Sequence, residues 1–155
     1  MHCAVASGLQ PRVDPRLDEI DFGLGEGLTA QEIRSLFPRE AYAFEADPIG
    51  HPLPGGEDPV AATARCTECI TEIVEEVQLG RVLVVTHNTI IRLMLCHFLG
   101  IPLAEYRRRF PFVRNCALSE IRVSCGKQAA LMQYNAPLQT EMPWVNSAGL
   151  VLTDV

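Results

Sequence analysis

The longest apolar pattern in the chain runs from Arg81 to Pro102, RVLVVTHNTIIRLMLCHFLGIP. Val82 to Val85 are consecutive apolar residues, mostly β-branched, between Gly80 and His87. Such a run predicts a short strand buried on both faces. From Thr89 the apolar positions pass almost all round a helix: Ile90, Ile91, Leu93, Met94, Leu95, Phe98 and Leu99. Gly100 and Pro102 supply its stop. A buried strand running into a buried helix predicts the core of an α/β domain. His87 lies in the turn between them, at the carboxyl end of the strand, where open α/β sheets bind ligands.

Upstream, residues 1–13 read as a helix tail ending at Gly8, then a loop. Asp14 to Gly27, DPRLDEIDFGLGEG, is acidic and turn-rich, and most of its carboxylates belong to a solvated loop. Glu19 differs, because Leu17 and Ile20 are apolar anchors that fix where it points. Thr29 and Glu32 form a capping box for a short helix that Pro38 is expected to stop. Residues 38–58, rich in proline and glycine and ending HPLPGGED, predict a long irregular loop. Asp58 and Pro59 open the next helix. Its apolar positions, Cys66, Ile70, Ile73, Val74 and Val77, are expected to cover one face of the sheet, with Glu68, Glu72, Glu75 and Glu76 in water.

Beyond Pro102, LAEYRRRF predicts a short helix. Arg107, Arg108, Arg109 and Arg114 form a basic cluster, read as a solvated face or as an anion attractor. Strands are expected at Ala117–Ser124 and Ala129–Tyr134, joined by a turn at Gly126. From Ala136 an irregular tail is expected, pinned by Trp144. No strand pattern precedes residue 80, whereas an α/β domain alternates strands and helices from its start. The first third of such a domain is expected to be missing, which makes residues 1–155 a single partial domain.

Composition changes this picture little. The 155 residues suit one domain, with 48% hydrophobic and 21% charged positions. Apolar runs are too short to span a bilayer, so no membrane partner is expected, and no signal segment opens the chain. A cytoplasmic location is the default expectation. A net charge of −6 argues against nucleic acid, while a locally positive pocket would still accept a small phosphorylated molecule. Of the six cysteines, Cys66 and Cys69 form CTEC inside a helical pattern without a second pair, so no metal site is expected. Cys96, Cys116 and Cys125 read as small apolar residues. No cofactor is implied.

His87 precedes a helix N-terminus, where free amides and the helix dipole attract anions. There it can donate hydrogen bonds to phosphoryl oxygens, act as acid or base, or simply be satisfied by a neighbouring carbonyl. His97, on the buried helix, reads as structural; His2 and His51 lie in loops.

Taken together, four segments resemble the histidine phosphatase superfamily, also called phosphoglycerate mutase-like. DPRLDEIDFGLGEGLTAQEI resembles its L-x-E-x-x-F-G-x-x-E-G stretch, and PGGED its PGGES loop before a long helix. VLVVTHNTIIRLMLCHFLGIP is similar to its strand–His–helix, V-S-H-G-G-x-x-R, and FVRNCALSEIRV to the Asn-bearing segment that follows. The resemblance implies a three-layer α/β/α fold and phosphoryl transfer through a phosphohistidine. It makes His87 a phosphate-holding histidine and Glu19 the proton donor to the leaving oxygen. A cationic donor beside a transferring phosphoryl group stabilises its spread charge, and a carboxyl between apolar neighbours suits a general acid. Asn88 replaces the family's glycine, which is tolerable if its backbone amide is what meets phosphate.

The departures are as informative. No Arg-His-Gly occurs anywhere, so the family's nucleophile and its adjacent arginine are absent, as is the S-S-x-x-x-R-A-x-x-T-A segment. The fold is therefore expected to lack the first strands of its sheet, and residues 1–155 alone to be inactive. The alternatives are a non-catalytic phosphate- or phosphoester-binding module and a mutase-type phosphotransferase, the short intervals favouring a phosphatase. An unpaired strand edge at Val82–Val85 would favour self-association.

Overall fold

The computed structural model describes residues 10–77, 79–124 and 127–137. Local signals formed their helices where expected. Helix α1 (Ala30–Leu36) starts at Thr29, whose hydroxyl accepts from the Glu32 amide while the Glu32 carboxylate accepts from the Thr29 amide. This is the capping box read from the sequence. Helix α3 (Pro59–Glu76) starts at Asp58, whose side chain accepts from the Val60 amide at 2.9 Å. Its buried face is Pro59, Ala62, Thr63, Cys66 and Cys69, while Glu68, Glu72, Glu75 and Glu76 are exposed.

The segment between them departs from expectation. Residues Pro38–Ala46 form a helix, α2, in the first half of the stretch expected to be irregular. Pro38 stops α1 but sits at the first position of α2, where its missing N–H costs nothing and its fixed φ suits a helix. Ala41 anchors α2 inward.

Helix α4 (Asn88–Phe98) buries Ile90, Arg92, Leu93, Met94, Leu95 and Cys96. It closes as Gly100 and Pro102 predict: Ile101 N–H donates to Cys96 O at 2.8 Å, with Gly100 at φ 67°. Two apolar clusters meet on it. On one side Ile90 and Met94 pack with Ala62 and Cys66 of α3 and with Ile20 of the acidic loop. On the other, Leu93, Leu95 and Cys96 pack with Phe110 and with Tyr106 of the short helix α5 (Tyr106–Arg109), joined by Ile121 and Tyr134. Arg92 is buried between these: its Nε–H donates to Phe110 O at 2.6 Å, and its guanidinium lies 4.6 Å over the Tyr106 ring.

The sheet is where expectation and structure part. Strands β1 (Ala117–Ser124) and β2 (Lys127–Pro137) pair antiparallel, and they are the only sheet among the described residues. Strand β2 includes Ala136 and Pro137, the first residues of the expected tail; the rest of that tail, Trp144, the Gly126 turn and residues 1–9 lie outside the described residues. Val82 to Val85 do not form the expected buried strand. Val82, Leu83 and Val85 are 48%, 66% and 73% exposed, and no backbone ladder joins them to another described residue. A strand exists only as a pair, and among the described residues this apolar run has no pairing neighbour. Among the described residues α3 packs on α4 and on the 3₁₀ turn Pro15–Leu17 rather than on a sheet.

Two outcomes test this description. Ile20 is 5% exposed inside a cluster, so Ile20→Ala is expected to cost about 2–5 kcal/mol in urea unfolding. Leu83→Ala should stay within about 0.5 kcal/mol; an equal cost for both would show that the 82–85 segment is packed.

Acid should also loosen the loop that carries Ile20. Hydrogen bonds from Arg16 hold Asp14 and Glu72 below their ordinary values of 3.8 and 4.5, and Arg65 does the same for Glu57. Carboxyls depressed in the folded state stabilise fully above their unfolded values, and that stabilisation is lost as pH falls through the folded ones. The thermal midpoint is therefore expected to be flat above about pH 5 and to drop steadily below it. Arg16→Gln should flatten that slope, and an unchanged slope would contradict the assignment.

Candidate phosphate site

The site forms where the acidic loop crosses the start of α4. His87 is the N-cap residue of α4, with φ −112° and ψ 166°, but its side chain makes no capping bond. The cap comes from far along the chain. One Glu19 carboxylate oxygen accepts from the Thr89 amide at 3.0 Å and the other from the Ile90 amide at 3.2 Å. The carboxylate also accepts from the Ile20 amide at 3.1 Å. A carboxylate on first-turn amides satisfies orphan donors and complements the helix dipole.

Why the loop reaches that place is visible in its contacts. Ile20, next to Glu19, is driven into the cluster on α3 and α4. Thr86 donates its hydroxyl to Leu17 O at 2.6 Å, so the loop is fastened on both sides of His87. The Pro54–Gly56 turn closes against the loop from behind: Leu24 N–H donates to Pro54 O at 3.0 Å and Glu57 N–H to Asp21 O at 2.8 Å. Gly23, at φ 55°, makes this approach possible, since a Cβ there would lie 2.3 Å from Gly56 N and 2.4 Å from Pro54 O.

Each residue singled out in the sequence now has a place. Glu19 is half-buried; His87 and Asn88 are exposed beside it at the mouth of the α4 N-terminus. Glu19 takes two of the first-turn amides that were expected to face an anion, leaving the Asn88 amide as the one nearest His87 without a described partner. His97, read as structural on a buried helix, has an exposed side chain that stacks edge-on against Phe98 with centroids 5.4 Å apart. The basic cluster is mostly tied up in packing and ion pairs. Arg107 lies 4.6 Å over the Phe44 ring and donates to Tyr106 Oη, while Arg108 and Arg109 pair with Glu105. Cys116 is exposed, at φ 58°, rather than a small core residue. Cys66 and Cys96 are buried, and burial pushes both thiols up to about 11, where they stay protonated and inert at neutral pH. Cys66 donates to Arg16 O at 2.9 Å. Among the described residues no cluster of histidine, cysteine or carboxylate side chains is arranged to hold a metal.

Sequence reasoning missed Arg65 and Glu57. Arg65 is the one basic residue on α3, and that solitary charge near the helix start was the available signal. It pairs with Glu57 at 2.7 Å and donates to backbone carbonyls of the acidic loop.

Residues 2–136 match the sequence profile of the Histidine phosphatase superfamily (branch 1). Over 89 residues the chain is 34% identical to a Caenorhabditis elegans 6-phosphofructo-2-kinase/fructose-2,6-bisphosphatase, a stretch covering 57% of this chain and 19% of that protein. Among solved structures, Mycobacterial hydrolase 1 matches with TM-score 0.77 and 26% identity over 86% of this chain and 67% of its own. Mycobacterial glucosyl-3-phosphoglycerate phosphatase in complex with inorganic phosphate matches with TM-score 0.74 and 25% identity, over 86% of this chain and 69% of its own. The chain thus spans only a small part of that curated relative and about two thirds of these structures. No described helix is long and apolar enough to cross a membrane. The fold is the α/β, phosphoglycerate mutase-like one, of whose sheet two strands lie among the described residues. With a match running through most of its length, the chain belongs to the histidine phosphatase superfamily.

Proposed function

We propose that this chain carries the phosphate-holding and proton-donating half of a phosphomonoesterase site that works through a phosphohistidine in the complete family domain. The observation that carries the reading is the Glu19 carboxylate seated on the Thr89 and Ile90 amides, beside exposed His87 and Asn88. A ring N–H of His87 donates to a phosphoryl oxygen, and the Asn88 amide donates to a second. Glu19 is the group positioned to give a proton to the leaving alkoxide oxygen as the P–O bond breaks, from the oxygen that accepts from the Thr89 amide alone. The substrate class is a small phosphorylated metabolite, in keeping with the phosphatase names of the relatives.

Residues 1–155 hold no Arg-His-Gly run, and without a nucleophile these residues bind phosphate rather than turn it over. That favours, for this chain by itself, the phosphate-binding reading over catalysis, and leaves mutase-type transfer without a phosphoryl carrier. A cytoplasmic location fits a metabolite substrate. Self-association through the Val82–Val85 segment is part of the same reading, because apolar backbone that pairs with no described residue favours pairing with another chain.

Purified residues 1–155 should show no turnover of p-nitrophenyl phosphate above background. Inorganic phosphate should bind saturably at millimolar concentration in calorimetry, with His87→Ala weakening it about tenfold, the loss of one charge-assisted hydrogen bond. Turnover abolished by His87→Ala would overturn the inactivity, and absence of any binding would end the phosphate-site reading. Light scattering is expected to report a mass above one chain that reverts toward the monomer in Leu83→Lys; a monomer in both would remove the self-association.

A further inference from the structure

We propose that Arg65, braced by Glu57, is a positioning residue that holds the backbone of the acidic loop so that the Glu19 carboxylate lands on the α4 N-terminus. The inference rests on reading Glu19 as the proton donor, and concerns how that group is held rather than what it does.

The guanidinium of Arg65 is shared between one short stretch of chain and the Glu57 carboxylate. One terminal nitrogen donates to Arg16 O at 2.6 Å; the other donates to Asp18 O at 3.1 Å and to Glu19 O at 3.3 Å. Its remaining donors meet the Glu57 carboxylate in a two-point pair, Nε at 2.7 Å and the second terminal nitrogen at 2.9 Å. Glu57 in turn gives its own backbone N–H to Asp21 O at 2.8 Å. Carbonyls of residues 16, 18 and 19 are thus gathered onto the Arg65 guanidinium, and that of residue 21 onto the backbone of its partner Glu57. Arg65 fixes the backbone of Glu19 from one side while the Thr89 and Ile90 amides receive its carboxylate on the other.

The chemistry demands arginine. Several acceptors at different angles need a planar fork of N–H groups, which a lysine ammonium on a flexible stem cannot present. Both partners are half-buried, so the pair is shielded from solvent more than surface ion pairs are, and loss of Arg65 would leave a carboxylate and a row of carbonyls short of donors. Only the short 3₁₀ turns Pro15–Leu17 and Gly23–Gly25 flank Glu19; Ile20 and the Thr86–Leu17 bond anchor the loop beside it, and Arg65 adds a bond to the Glu19 carbonyl itself. A proton donor must be held within a fraction of an ångström of its working place, and here part of the holding is done from α3.

The test reads amides rather than turnover. First-turn amides of a helix exchange freely unless something caps them, so hydrogen exchange at Thr89 and Ile90 reports directly on the Glu19 carboxylate. In the full chain, Arg65→Gln is expected to lower protection at Thr89 and Ile90 about tenfold, while Leu93 and Leu95 in the same helix change little. Arg65→Lys should recover only part of that protection. Glu57→Gln, which leaves Arg65 in place and keeps the fold safer, should give a smaller loss at the same two amides. In the Glu19→Gln background, Arg65→Gln should add nothing further there. Parallel loss at Leu93 and Leu95, as a merely structural role gives, or unchanged protection at Thr89 and Ile90, would overturn the positioning role. Absence of phosphate binding with the amide result intact would sink the functional reading and leave the positioning standing.

Discussion

The structure depends on how the start of a buried helix is satisfied. Helix α4 contributes to both apolar clusters, yet the N-cap residue His87 supplies no side-chain cap. The orphan amides of a helix first turn need acceptors, and the acceptor comes from a carboxylate seventy positions earlier, at Glu19. Hydrogen bonds to a charged group are each worth about 1.5–3 kcal/mol where water is partly excluded. One contact therefore fastens the acidic loop to the core, leaves the His87 side chain exposed, and seats a carboxyl on the amides two and three residues after it.

Much of this was legible locally. The Thr29–Glu32 box, the Asp58–Pro59 start and the Gly100 stop are signals written in neighbouring residues, and each formed what it predicts. Pro38 was legible only in half, as the end of one helix and not the beginning of the next. The Val82–Val85 run shows the limit most clearly. Its side chains have the right character for a buried strand, but burial and pairing are supplied by other segments, and apolar character alone cannot create them. The same limit explains His97 and Cys116, whose environments depend on what lies opposite them rather than on their own neighbours.

For the site, the residue types were readable and the distances were not. Glu19 stood out because Leu17 and Ile20 flank it, and Ile20 does anchor it. That it would cap α4 rather than only point toward it is a long-range fact. Arg65 was hidden for a related reason: on an acidic, amphipathic helix a single arginine reads as a surface charge, and its carbonyl partners belong to a loop with no regular pattern. The arginines that did stand out, at 107 to 109, are used for stacking and pairing.

The family membership and the local geometry meet at one claim, that the start of α4 with Glu19 is a place for a phosphoryl group. Mapping amide and imidazole chemical shifts while titrating the chain with inorganic phosphate tests it most directly. The account predicts saturable shifts concentrated at His87, Asn88 and Thr89, with Glu19 moving in step. Shifts centred elsewhere, such as the α3–α4 groove lined by Thr63, Thr67 and His97, or no saturation at all, would contradict it.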